Sequence, residues 1–550
     1  LIPSSVIYDE YIPSNSNVNR MVDADNKPTA KHDEVQSDPP LPQRKISVLE
    51  DIKRSPKVAG YSLALTSGII LYGYDLAIVS NVSSMPEFQH DFGRKLGGQL
   101  IIPSLWLGLW NVANPIGGIF GAIFGGYVQD RFGRRSSLAV ASIISAIGVA
   151  IAYVSNLPGG IDGRRAVFFV AKLVQGYAVN MLTCTIQTYM SEVLSPTLRG
   201  PILAFFPLFT LLGQLVGSIV VFTSLKEKGP GGYLKCFISQ WPFSALPLLV
   251  SIILPESPTW LVRKDRMEAA RKSQRRLDSA RVDSEAAIEK LCSSIRHEDE
   301  QAQNHPASYL ECFRGNNLRR TMIVLFANLI PQLFGLTLMS KSSYFLQIVG
   351  MGATNSLLFL EVGIALGLVA NILSMWTLSR FNRVPLIMVG LAITTLLWTG
   401  MGILGCFQGV VTIWWSAVTM MLVITVCGAT AWPASYAVGA EASALRLRAK
   451  SQGLGWVMNG LSNGVFGLVL PYIFNPDQGN LRAKTGFVYT GLCLLGLVGT
   501  WYVVPEMKDR TPIEIDRMFE MHLPARKFKA QTFDDENAGT SPKSRSATPV

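Results

Sequence analysis

The chain is 550 residues long, 49% hydrophobic and only 16% charged, with a formal net charge of +11 at pH 7. A soluble domain carries roughly 25% charged residues, so an ordinary water-soluble enzyme is excluded. A nucleic-acid-binding surface is excluded as well, because the basic residues sit in the tails, one central segment and short connections. Residues 136–161, 200–225, 321–340, 384–440, 451–476 and 485–505 carry no charge at all.

Residues 1–57 are polar and broken by prolines, as in "SDPPLPQRK". They are expected to form a disordered tail. The chain starts at Leu1, as an incomplete or processed start would, and the first crossing is expected to serve as the targeting signal. About 20 apolar residues cross a bilayer as a helix, and the sequence holds twelve such crossings. The first six are expected near 58–81, 101–128, 137–155, 165–190, 201–223 and 237–254. The first contains "ILYGYDLAIVS", where Asp75 is the only charged residue between Lys57 and Glu87. An ionised acid in hydrocarbon costs at least roughly 2.5–3.5 kcal/mol, so Asp75 is a candidate functional group.

Residues 255–320 read as a soluble bridge. Within it Ile288, Leu291 and Ile295 share one helical face, which predicts amphipathic helices lying against the membrane. Six further crossings are expected near 321–344, 355–378, 386–406, 412–440, 452–472 and 485–504, before a polar tail over 505–550. The expected fold is an all-α membrane protein with twelve transmembrane helices in two six-helix halves, 58–254 and 321–504.

Arg131, Arg134, Arg135, Arg199, Arg380, Arg383, Arg446, Arg448, Lys450 and the bridge all fall on one side of this topology. Basic connections mark the cytoplasmic side, so both termini are expected inside a multi-pass protein, in the plasma membrane. The seven cysteines are scattered and the five histidines lie outside the crossings. No disulfide framework, metal site or cofactor is expected, and a proton carrier within the membrane must be something other than histidine.

Gln187, Gln214, Gln332, Thr337, Tyr436 and Asn459 interrupt apolar spans. Such groups serve either as hydrogen-bonding glue between helices or as the wall of a cavity for a polyol, since an amide offers donors and acceptors at fixed angles. Lys341 and Glu361, in the seventh and eighth spans, form a further possible pair.

The short connections repeat. "GGYVQDRFGRR" (125–135) comes after the second span and "SMWTLSRFNRV" (374–384) after the eighth, each with R-F-x-R at the turn. Gly126, Asp130, Arg131, Gly133, Arg134 and Arg135 match the G-x-x-x-D-R-x-G-R-R loop of the major facilitator superfamily. "YMSEVLSPTLRG" (189–200), "PESPTWLVRKDR" (255–266), "EASALRLRAKS" (441–451) and "PEMKDRT" (505–511) resemble the turns of its sugar-porter branch. "SYLECFRGNNLRRT", "SSYF" and "PARKFKAQTF" resemble the fungal α-glucoside permeases within that branch.

That resemblance implies a transporter rather than an enzyme, moving a small neutral sugar by alternating access. Proton symport of a maltose-like α-glucoside is the first expectation. An uncoupled facilitator and a non-transporting sensor are the alternatives. The resemblance puts the proton-coupling acid at Asp75 with Lys172 as its partner. It puts sugar contacts at Gln214, Gln332 and Asn459, with Gln187, Thr337 and Tyr436 as further candidates. It also implies a latch in which Glu192, Arg199, Glu256, Glu441 and Arg446 join the loop charges across the two halves. The chain departs from the pattern at Tyr72, Lys172, Thr337, Trp456, Ser379 and Asn382.

Overall fold

The computed structural model describes residues 55–529, apart from 97–98, 195–205, 279–282, 305–307, 408, 445–446, 509 and 511. Twelve helices among the described residues are long and apolar enough to cross a membrane. Spans 1 to 6 are Pro56–Ser83, Ser104–Phe132, Arg134–Asn156, Ile161–Val193, Phe206–Ser224 and Gly231–Ile253. Spans 7 to 12 are Gly315–Met339, Ala353–Arg380, Arg383–Leu404, Val410–Ala442, Lys450–Phe474 and Arg482–Val503. Helices satisfy every backbone group internally, which hydrocarbon demands. The chain is an integral, multi-pass membrane protein, and all twelve expected crossings are present.

Connections alternate between two ends. One carries the R-F-x-R turns and is called the arginine end. The other carries a short antiparallel hairpin, β1 (Arg94–Leu96) with β2 (Gln99–Ile101), an addition to the all-α expectation.

Small residues set how closely the helices approach. Gly117, Gly121 and Gly125 recur every fourth residue on span 2. A β-carbon at the first two would collide with the carbonyls of Leu173 and Tyr177, and one at the third with Met181, all on span 4. Gly73 and Gly213 bring spans 1 and 5 together in the same way. This is small-residue packing, which drives helix association where lipid removes the hydrophobic term. Gly126, the glycine of the loop motif, turns off this face and has no atom in reach of an added β-carbon.

The halves meet where span 2 runs along span 11 and span 5 along span 8. Several spans are broken. Span 7 stops as regular helix after Leu333, passes Gly335 in a left-handed conformation (φ 103°), and continues as a separate helix, Ser342–Val349. Pro331 removes one backbone donor there, and at the end of the helix the carbonyl of Phe334 accepts from Trp398 Nε1 at 3.0 Å. Span 10 breaks at Thr430, just before Pro433.

The bridge forms short helices Pro258–Arg263, Met267–Leu277 and Ser284–Asn304, with Ile288 and Ile295 buried. The expected tail after residue 505 is ordered in its first part. Helix Pro512–Glu520 buries Ile515, Met518 and Phe519, and Asp516 pairs with Arg320 at the start of span 7.

Candidate functional site

A cavity of about 670 Å³ lies between the halves, lined by spans 1, 2, 4, 5, 7, 8, 10 and 11. This is the size range of pockets that enclose small molecules. At the hairpin end the halves are bonded across the cavity. Asp477 accepts Ser104 N at 2.9 Å and Arg94 Nη2 at 3.2 Å, and Asn475 Nδ2 donates to the Ile102 carbonyl at 2.9 Å. Gln89 Nε2 donates to Gln347 Oε1 at 3.0 Å, and Gln347 Nε2 to the Ser84 carbonyl at 2.7 Å. Toward the arginine end the lining residues Ile123, Trp456 and Val457 are 69%, 56% and 65% exposed. The cavity is closed at one end and open at the other.

Asp75 lies on span 1 at the cavity wall, 1% exposed. Lys172 of span 4, 3% exposed, makes a direct ion pair with its Oδ1, and Asn114 Nδ2 of span 2 donates to its Oδ2. Three helices therefore converge on one carboxylate, with both oxygens engaged. Removing one partner of such a buried pair leaves an uncompensated charge and costs about 3–5 kcal/mol.

The other wall is built on the broken span 7 and on span 11. Thr337 Oγ1 donates to Gln332 Oε1 and lies 3.1 Å from Asn463 Oδ1. Asn459 Nδ2 donates to Tyr436 Oη at 3.2 Å, and the Tyr436 ring stacks on Trp456 with centroids 5.9 Å apart. Gln214 also lines the cavity. Gln187 does not. It sits seven residues beyond the lining residue Asn180 on the same helix, about 10 Å further along the axis, past the cavity toward the arginine end. Sequence reasoning missed Asn111, Asn114 and Asn463, which also line the space. The only signal for them was an amide in an apolar run. Lys341 is 9% exposed and lines the cavity, but it makes no ion pair with Glu361. Glu361 lies off the wall, with Oε1 buried and unbonded.

The loop charges form two clusters of the same design. Arg134 donates to Glu192 from Nε at 3.0 Å and Nη2 at 2.6 Å, and from Nη1 to the Gln129 carbonyl. Arg383 repeats this with Glu441 at 3.3 and 3.0 Å, and with the Leu378 carbonyl. Each arginine lies 58 residues before its acid. Glu256, just past span 6, accepts the backbone N–H of Arg134 at 2.9 Å and of Arg135 at 3.3 Å, capping span 3. Glu506, just past span 12, accepts those of Arg383 and Val384 at 3.1 and 3.0 Å, capping span 9. A carboxylate there satisfies orphan donors and complements the helix dipole. Glu506 was not singled out from the sequence, although Pro-Glu at 505–506 repeats Pro-Glu at 255–256.

The described ion pairs at this end each lie within one half and form two internal braces; the expected latch across the halves is not among them. Arg199 and Arg446 lie outside the described residues. Gly133 adopts φ 96°, whereas its counterpart Asn382 is extended at φ −70°, which is why that turn needs no glycine. Arg135 binds the Ser251 carbonyl at 2.9 Å, and Arg131 is exposed.

Asp130 contributes little. Its carboxylate is 75% exposed and 3.5 Å from Arg134, and exposed pairs contribute about 0–1 kcal/mol. Asp130→Asn is therefore expected to leave the melting temperature of the purified protein unchanged. Glu256→Ala should lower stability by about 0.5–2 kcal/mol, as loss of a helix cap does. Equal melting curves for the two variants would remove the capping role.

Residues 61–519 match the family described as sugar (and other) transporters. The chain belongs to that family. This transporter is 30% identical over 469 residues to MFS transporter fmqE of Aspergillus fumigatus, a match spanning 84% of this chain and 85% of the relative. It is 29% identical over 504 residues to maltose permease MAL61 of Saccharomyces cerevisiae, spanning 90% and 80%. Its fold is similar to the inward-open conformation of the xylose transporter XylE from E. coli, with TM-score 0.67 at 20% identity, covering 84% of this chain and 99% of that one. The family's fold, twelve helices in two six-helix halves, is the one described above. The transporter is not an enzyme.

Proposed function

We propose that this sugar transporter carries an α-glucoside together with a proton across the plasma membrane by alternating access, with both termini in the cytoplasm. The single observation that carries the coupling is Asp75, a carboxylate at the wall of a central cavity and held by partners from two other helices. Its two partners stand on different spans, so movement of the spans changes what the carboxylate meets. The basic arginine end supports its placement in the cytoplasm, and the maltose permeases among the relatives support the substrate class. Breaks in spans 7 and 10 give that half movable segments at the substrate, as discontinuous helices do in transporters.

The uncoupled facilitator is the second reading. It is favoured by the engagement of both Asp75 oxygens by Lys172 and Asn114, the arrangement of a structural ion pair. Uptake of a labelled sugar panel in transporter-null cells, with external pH recorded, separates them. Alkalinisation during uptake of an α-glucoside is expected. Uptake without a pH change supports the facilitator, and no uptake of any sugar overturns both readings.

Gln332→Ala should weaken sugar binding. It leaves Thr337, 3% exposed, without one amide partner and removes a polar group from the wall. An unpaired buried polar group costs about 1–3 kcal/mol, so the half-saturation concentration should rise roughly 5–150-fold. An unchanged value with normal folding would make Gln332 a packing residue.

A further inference from the structure

The charged side chains lining the cavity are Asp75, Lys172 and Lys341. Asp75 and Lys172 cancel in direct contact, which leaves, among the described residues lining the cavity, one basic side chain without a counter-charge, Lys341. That ammonium is 9% exposed and has no carboxylate within ion-pair distance among the described residues. It lies beyond the break of span 7, flanked by Ser340 and Ser342, which also line the cavity. Its Nζ comes within 3.4 Å of where a β-carbon on Gly467 would stand, and Asn111 Cβ is equally close to that point. The amine thus sits where span 7 faces span 2 of one half and span 11 of the other.

A buried lysine without an acid is costly in a membrane protein unless it meets a pathway or a ligand. Glu361, the nearest acid by sequence on the facing span, does not meet it. We propose that the counter-charge is supplied by the substrate: the cavity takes a sugar bearing one carboxylate, held by Lys341, in preference to the neutral sugar of the same skeleton. This rests on the reading of the cavity as an α-glucoside site and specifies its substrate class. One ammonium matches one carboxylate. A phosphate, with a charge near −1.5 to −2 at neutral pH, would leave negative charge uncompensated beside Asp75. The amides of Gln332 and Asn459 remain available to hydroxyls, as a sugar acid requires.

The test uses the full chain in lipid nanodiscs and isothermal titration. The ligands are maltose, maltobionate (carboxylate at the former reducing end) and α-1,4-glucuronosyl-glucose (carboxylate on the other ring). At least one acid is expected to bind about tenfold or more tightly than maltose, as a charge-assisted bond in place of a neutral one gives. Lys341→Gln should abolish that preference while binding maltose, and Lys341→Arg should retain it. The wild-type comparison stands even where a variant fails to fold. Maltose binding with neither acid favoured overturns this inference and leaves the α-glucoside reading intact. A preference that survives in Lys341→Gln overturns the role of Lys341. Binding of none of the three overturns the α-glucoside reading along with it.

Discussion

Asp75→Asn should abolish sugar accumulation driven by a pH gradient while sparing counterflow of sugar down its own gradient. Asparagine keeps the shape of the side chain and can still accept from Asn114, but it cannot titrate. It also strips Lys172 of its counter-charge in a site where both residues are almost fully buried. Breaking one side of such a pair costs about 3–5 kcal/mol, so the single variant should also melt earlier. The two effects separate in the double variant Asp75→Asn/Lys172→Met, which removes both charges. It should regain much of the stability, since replacing a whole buried pair with apolar groups is often neutral. It should not regain accumulation. Counterflow and pH-jump uptake in proteoliposomes, alongside melting curves, read out both properties. Normal accumulation by Asp75→Asn would leave the pair purely structural.

Why the sequence revealed Asp75 but not Asn114 is a matter of contrast. A lone carboxylate among apolar residues is conspicuous because its burial is so costly, whereas Lys172 entered as the partner that the family resemblance implies. Amides are cheaper to bury, and whether one faces a cavity depends on helix packing. Gln187 and Asn180 share a face of span 4, yet only Asn180 lines the cavity, because depth along the axis decides between them. The twelve spans were legible because length and apolarity alone define a crossing. Their breaks were not. Pro115, Pro247 and Pro471 sit inside continuous helices, while Pro331 lies just before the interruption of span 7. Two neighbours of Pro331 make the difference: Gly335 permits the left-handed turn, and Trp398 donates to the Phe334 carbonyl. The first is visible locally; the second comes from a helix more than sixty residues away. The family resemblance named Arg134, Glu192, Glu256 and Glu441, but neither the role of Arg383 nor Glu506, and not which of them would meet.

The pairing within each half leads to the second large effect. Arg134→Ala should destabilise the arginine end of the first half and stop transport, and Arg383→Ala should do the same in the second half by a smaller margin. The ranking comes from solvent access. The Arg134 side chain is 7% exposed and Glu192 14%, against 16% for Arg383 and 26% for Glu441. Water screens the second pair more and solvates its orphaned acid better. Removing the Arg134 side chain leaves the largely buried Glu192 without the guanidinium that donates to it, at a cost approaching the roughly 3–5 kcal/mol of a broken buried pair. Each brace ties spans 2, 3 and 4, or spans 8, 9 and 10, into one body, and alternating access needs each half to rock as a unit. A latch between halves would behave differently: its loss would shift the balance of states without lowering the melting temperature. Melting curves and cysteine labelling at Ile123→Cys, an exposed position on the cavity wall, distinguish the two. Lower melting in both arginine variants, larger for Arg134→Ala, is expected. Altered labelling at unchanged melting temperature would show that the clusters act across the halves after all.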